Sequence, residues 1–201
     1  MPKTNRLRTR LLGCFFVGMA ILLSLGCSVN VKKDGEGQDK KVDIQTPVAG
    51  LHVSSNPDVE DTGLPVYPGA TRKPKKEGDS EETGANLNIA TSFFGLKVVA
   101  VEFLSQDSPD KVMAYYKDKL SKYGKVLECH KRKGGGSVSM NSRDGDDSKD
   151  RELKCEGDNT GNVIELKVGT QEKQRIVSIE PKEKGTDFAL VFVQTRGKDT
   201  I

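Results

Sequence analysis

"NLNIATSFFGLKVVAVEFLSQDSPDKVMAYYKDKLSKYG", residues 86–124, contains the change of period that decides the fold. In its first part Leu87, Ile89 and Thr91 alternate with Asn86, Asn88 and Ala90. Past Gly95, Val99, Val101 and Phe103 alternate with Val98, Ala100 and Glu102. Period two with β-branched residues predicts two strands, and the joint at "FFGL" predicts a hairpin. The period then lengthens. Val112, Tyr116, Leu120 and Tyr123 recur at i, i+4, i+8 and i+11, one face of an α-helix. Ser108 fits the N-cap, where its hydroxyl can accept an unpaired amide of the first turn. Pro109 fits the first helical position and Asp110 complements the positive end. Gly124 supplies a left-handed stop.

Downstream, "KVLECHK" (125–131), "RELKCEG" (151–157), "NVIELKV" (162–168), "RIVSIEP" (175–181) and "DFALVFVQ" (187–194) read as strands. Ile164, Leu166 and Val168 fall on one face of the third, with Val163, Glu165 and Lys167 on the other. Phe188, Leu190 and Phe192 line one face of the last, and "GTQEKQ" is a hairpin turn. Arg132 to Asp150 is Gly, Ser and charge without a period, which predicts a disordered insertion. Upstream, Val66 and Tyr67 of "PVY" predict a short edge strand turned by Pro68-Gly69, and "EGDSEETGAN" a polar loop. Two strands, the helix and the strands that follow it predict an α+β domain over 64–201. It is an antiparallel meander of about six strands with one amphipathic helix packed on one face.

The chain opens "MPKTNRLRTR", with Lys3, Arg6, Arg8 and Arg10 and no acid, then runs uncharged through "LLGCFFVGMAILLSLGC". A basic start, an apolar core and small closing residues are the layout of a secretory signal. The uncharged stretch Leu11 to Val31 has 21 residues, and a span takes about 20, so length alone leaves a membrane span open. "LLSLGC", Leu22 to Cys27, resembles the lipobox of bacterial lipoprotein precursors. One position departs: Ser24 stands where the family usually has Leu. The resemblance implies that residues 1–26 are a signal peptide cut between Gly26 and Cys27. It also implies that Cys27 carries diacylglyceryl and fatty acyl chains such as palmitate. Cys14, early in the apolar run, belongs to its core. Ser28 in place of Asp implies the outer membrane in a two-membrane bacterium. Each buried methylene contributes about 0.8 kcal/mol, and two or more chains hold firmly. Fat alone would then keep the protein at the membrane.

Of 32 basic and 29 acidic residues, the first 26 positions hold four basic and no acidic ones, which leaves 28 against 29. The basic excess belongs to the leader, and net charge gives no case for nucleic acid. Residues 28–63 mix charge, Gly, Pro and Ser, too little apolar surface to offset ordering entropy. They predict a flexible tether from Cys27, with "PVAGLHV" (47–53) docking weakly on the domain.

Cys129 and Cys155 remain, one on each side of the insertion. In an exported protein they predict a disulfide, stabilising by about 3 kcal/mol. His130 beside Cys129 points to the opposite face of its strand, which argues against a Cys–His pair. His52 lies in the predicted tether. These spacings make no zinc site. "GGSVS" (135–139) lacks the closing Gly of a nucleophile elbow, "SRDGDD" (142–147) lacks a calcium ladder, and no Gly-rich cradle follows a strand. No cofactor is implied. "GLPVYPGA", "FFGLKVVAVEF" and "DSPDKVMAYYKDKLSKYG" resemble a recurring pattern of exported bacterial proteins of unassigned activity, and that resemblance speaks to fold only. The expectation is a non-enzymatic, membrane-tethered domain of the cell envelope that acts on a protein or wall polymer. Two alternatives stand beside it. One is a small-ligand or lipid-binding pocket lined by Tyr115, Tyr116 and Phe103; the other is a hydrolase with an unrecognised site.

Overall fold

The computed structural model describes residues 27–34, 39–74, 84–132, 152–157 and 159–196. The predicted signal peptide 1–26, nearly all of the predicted insertion 132–150 and most of the loop 77–86 lie outside the described residues. Among the described residues ten strands form one antiparallel sheet. They are β1 Ser28–Asp34, β2 Asp39–Gln45, β3 Ala49–Ser54, β4 Thr71–Arg72, β5 Gly84–Thr91, β6 Gly95–Ser105, β7 Leu127–Lys131, β8 Val163–Gly169, β9 Lys173–Pro181 and β10 Thr186–Arg196. Among the same residues one α-helix, α1, covers Pro109–Ser121, and a 3-10 turn covers Val59–Thr62. The strand order is β1-β2-β3-β5-β6-β10-β9-β8-β7, with β4 also paired to β6. β4 and β5 share one edge of β6: β5 takes Gly95 to Val101 and β4 takes Phe103 and Leu104.

The sequence pattern of β6, β8, β9 and β10 sets the core. Val99, Val101 and Phe103 of β6, Leu166 and Val168 of β8, Val177 and Ile179 of β9, and Phe188, Leu190 and Phe192 of β10 are buried on one face. Register joins them in rows, such as Phe103–Phe188–Ile179 and Val101–Leu190–Val177. Val112, Tyr116 and Leu120 of α1 fill the space above β8 and β9. The 3-10 turn and the chain after it, through Leu64 and Tyr67, lie over β6 and β10. This is α+β architecture, as the sequence predicts, but with more than six strands.

The extra strands come from segments the sequence leaves irregular. Residues 28–54 carry β1, β2 and β3, which extend the sheet past β5. Val66 and Tyr67 are not a strand; Tyr67 is drawn into the core, and β4 forms four residues further on. The Pro68-Gly69 turn is present, with Ala70 N–H donating to Tyr67 O over 3.0 Å and Gly69 at φ 76°. Residues 152–157 are irregular rather than a strand. At the helix ends, Ser108 is the N-cap, but its hydroxyl makes no cap bond. Its backbone carbonyl takes Lys111 and Val112 N–H instead. Tyr123 lies beyond the last helical residue and is exposed.

Candidate functional site

Cys27 is exposed and stands one residue ahead of β1. β1 begins with Ser28 opposite Gln45, so Cys27 enters the sheet beside the β2–β3 turn, Thr46 to Ala49. Ala49 pairs with Thr91, which opens the β5–β6 turn, Thr91 to Phe94. The two turns are built alike. In each a threonine hydroxyl accepts a backbone N–H three residues on, Ala49 over 2.9 Å and Phe94 over 2.8 Å. Both turns and the start of β1 therefore share one end of the sheet. Alternation along β1 puts Cys27, Val29 and Val31 on one side. Two apolar rows run across that side. One is Val29, Ile44, Leu51, Ile89 and Leu96; the other is Val31, Val42, Val53, Leu87 and Val98. Val98 lies on the opposite face of β6 from Val99 and Val101, so these rows cross the face opposite α1, helix-free among the described residues. The predicted tether hid this pattern. Its only signal in the sequence is three short alternations, Val29/Val31, Val42/Ile44 and Leu51/Val53.

The second site lies at the other edge of the sheet, also on the helix-free face. Cys129 and Cys155 form the disulfide, with Cα atoms 5.4 Å apart. It fastens residues 152–157 to the edge strand β7. Cys129 pairs in register with Glu165. Glu165 stands between two buried lysines, with Lys131 Nζ at 3.0 Å and Lys167 Nζ at 3.3 Å, and Glu156 lies 3.6 Å from Lys131. The Lys131–Glu165 approach is close, yet neither Lys131 Nζ nor Glu165 Oε2 has an aligned hydrogen bond. Buried charges are costly unless paired, so these four groups form an ion network under the disulfide.

Tyrosines dominate the third feature. Tyr67, Tyr115, Tyr116 and Phe188 pack as a cluster, with Tyr67–Tyr115 and Tyr115–Tyr116 centroids each 5.1 Å apart. Phe103 stacks on Phe188 at 5.4 Å. The hydroxyls of Tyr123, Tyr116 and Tyr115 donate to the carbonyls of Gly63, Pro65 and Val66 in turn. Arg175 sits over the Tyr123 ring at 3.9 Å, and its Nε donates to Thr62 O. Tyr115 and Tyr116 of α1, and Tyr123 just past its end, thus clamp the "GLPVY" segment onto the core. Tyr116 and Phe103 are buried packing groups, and Tyr115 is half-buried. Burial raises the Tyr116 pKa well above the ordinary 10.0, and burial with the bond to Asp107 also raises that of Tyr67.

The histidines stand apart. His52 lies on β3 and its Nδ1 meets Asp43 Oδ1 of β2 at 2.5 Å. His130 and Cys129 point to opposite faces, and His130 Nε2 is 3.4 Å from Glu128 Oε1. Lys117, hydrogen-bonded to Glu128 at 2.6 Å, lowers that carboxyl's pKa. Among the described residues no group of three or more His, Cys, Asp or Glu is placed to hold a metal, and no helix is long and apolar enough to cross a membrane. The "GGSVS" and "SRDGDD" stretches lie outside the described residues. Compared with known proteins, the chain matches no family model, no curated protein and no solved structure.

Proposed function

We propose that this protein is a lipoprotein of the bacterial cell envelope, held at the membrane by acyl chains on Cys27. Its folded domain binds a protein or wall polymer and carries no catalytic site. The observation that carries this reading is "LLSLGC", which closes an uncharged run and hands over directly to polar sequence. The exposure of Cys27 at the head of β1 supports it, because a modifying enzyme needs an accessible thiol. The Cys129–Cys155 disulfide supports export, since such bonds persist outside the reducing cytosol. Ser28 after the cysteine favours the outer membrane. The half-buried and exposed apolar residues of β1–β3 support a binding surface. Intact mass of the native protein tests the anchor. Loss of residues 1–26 with diacylglyceryl and acyl mass on Cys27 is expected; a retained leader or a bare thiol rejects it. Repeated affinity capture from solubilised envelope tests the binding role, and consistent recovery of no partner counts against that role alone.

A further inference from the structure

Six large apolar side chains are exposed among the described residues, and five of them lie at one corner of the sheet. Val29 (62%) and Val31 (56%) stand on β1; Val48 (71%), Phe93 (66%) and Phe94 (39%) stand on the two turns beside its start. Scattered exposed apolar residues need no explanation, but a contiguous patch marks an interaction surface. The two apolar rows of the helix-free face run into this corner. Cys27 lies in it, on the side of Val29 and Val31, and the strand begins at the next residue with no spacer. Three strand spacings of about 4.8 Å put the Phe93–Phe94 turn on the order of 15 Å from Cys27. The other end of the sheet differs. The β9–β10 turn there is Lys182, Glu183, Lys184 and Gly185.

We propose that this corner docks on the lipid bilayer itself, with Val48, Phe93 and Phe94 in the interfacial layer next to the acyl chains of Cys27. The domain is then seated on the membrane rather than held off it. This rests on the anchor reading above. The occupant is lipid because the anchor brings lipid to this corner before any other partner: acyl chains fixed one residue from β1 hold the patch at the bilayer surface at high effective concentration.

The chain contains no Trp, so an introduced one is a single reporter. Phe93→Trp, Val31→Trp and Lys184→Trp full-length precursors are expressed in a bacterium, purified, and reconstituted in phosphatidylethanolamine–phosphatidylglycerol vesicles. Intact mass of the same samples reads Cys27. Phe93 and Val31 are exposed, and circular dichroism checks each variant; either of the two reads the corner if the other misfolds. The expected result is blue-shifted emission for Phe93→Trp and Val31→Trp, quenched several-fold more by acyl-brominated lipid than Lys184→Trp. Equal, weak quenching at all three with acylated Cys27 overturns the docking and leaves the anchor standing. Blue emission without quenching, together with a doubled mass by light scattering, assigns the corner to a second copy and also overturns it. An unmodified Cys27 ends both readings.

Discussion

The Tyr116 hydroxyl is buried in the core yet satisfied, donating to Pro65 O over 3.1 Å. Removing it leaves that carbonyl short of a partner, so Tyr116→Phe costs about 1 kcal/mol at neutral pH, read by urea denaturation. The pH dependence runs the other way. The folded-state pKa of Tyr116 is raised above 10.0, so its contribution is complete below pH 10. Above that the unfolded chain ionises first and stability falls. The loss with rising pH is therefore shallower in Tyr116→Phe than in the parent. A steeper loss in the variant contradicts this account. Gly169 makes a separate case. It has φ 111°, and a Cβ there would stand 2.2 Å from Lys173 O, which is backbone and cannot give way. Gly169→Ala is expected to cost more than about 1 kcal/mol, and a neutral effect in the same denaturation would refute it.

At the scale of elements, β8 carries the sharpest conflict between pattern and environment. Its alternation places Glu165 and Lys167 away from the core, yet both are buried on the second face. Glu165→Gln would take the counter-charge from the buried Lys167 and leave Lys131 only the more distant Glu156 at 3.6 Å, a loss of about 3–5 kcal/mol. Replacing Lys131, Glu165 and Lys167 together by Met, Leu and Met removes the three buried charges at once and leaves only the more exposed Glu156. That variant is expected to match or exceed the parent in thermal stability. If it is instead the least stable of the set, the network contributes by itself. Cys155→Ser releases residues 152–157 from β7 and is expected to cost about 3 kcal/mol. These elements also show where sequence reading reaches. α1, β6, β8 and β10 each repeat their period over seven residues or more, and the cysteine pair is legible from the predicted leader and from position. β1 and β2 offer two large apolar residues each beside charge, and β3 offers Leu51 and Val53 among small and polar residues, too short a window for a period to emerge. β4 has no pattern at all: Thr71 and Arg72 pair because β6 outruns β5. Tyr67 reads as an edge-strand residue, and only the three-dimensional meeting with Tyr115 and Phe188 makes it core.

Across the whole molecule the sheet is continuous but its support is not. Every residue of the packed core lies between Leu64 and Phe192, and none comes from β1, β2 or β3. Those three strands are held by ladder hydrogen bonds and by half-buried rows on the face opposite α1, with no covering helix among the described residues. Local opening takes least free energy where buried apolar contacts are fewest. Native-state hydrogen exchange in solution is therefore expected to rank the amides: β1 fastest, then β2 and β3, then β5, with β6, β9 and β10 exchanging only by global unfolding. β5 falls between because it is the seam, paired to β3 on one side and to the core strand β6 on the other. Protection of β1–β3 equal to that of β10 would mean that the sheet opens as one unit. If the lipid-seated corner is right, the same amides gain protection on reconstitution while those of β10 do not change. The bilayer would then shield these strands at the corner, and a lack of any change at β1–β3 in acylated, vesicle-bound protein would rule that out.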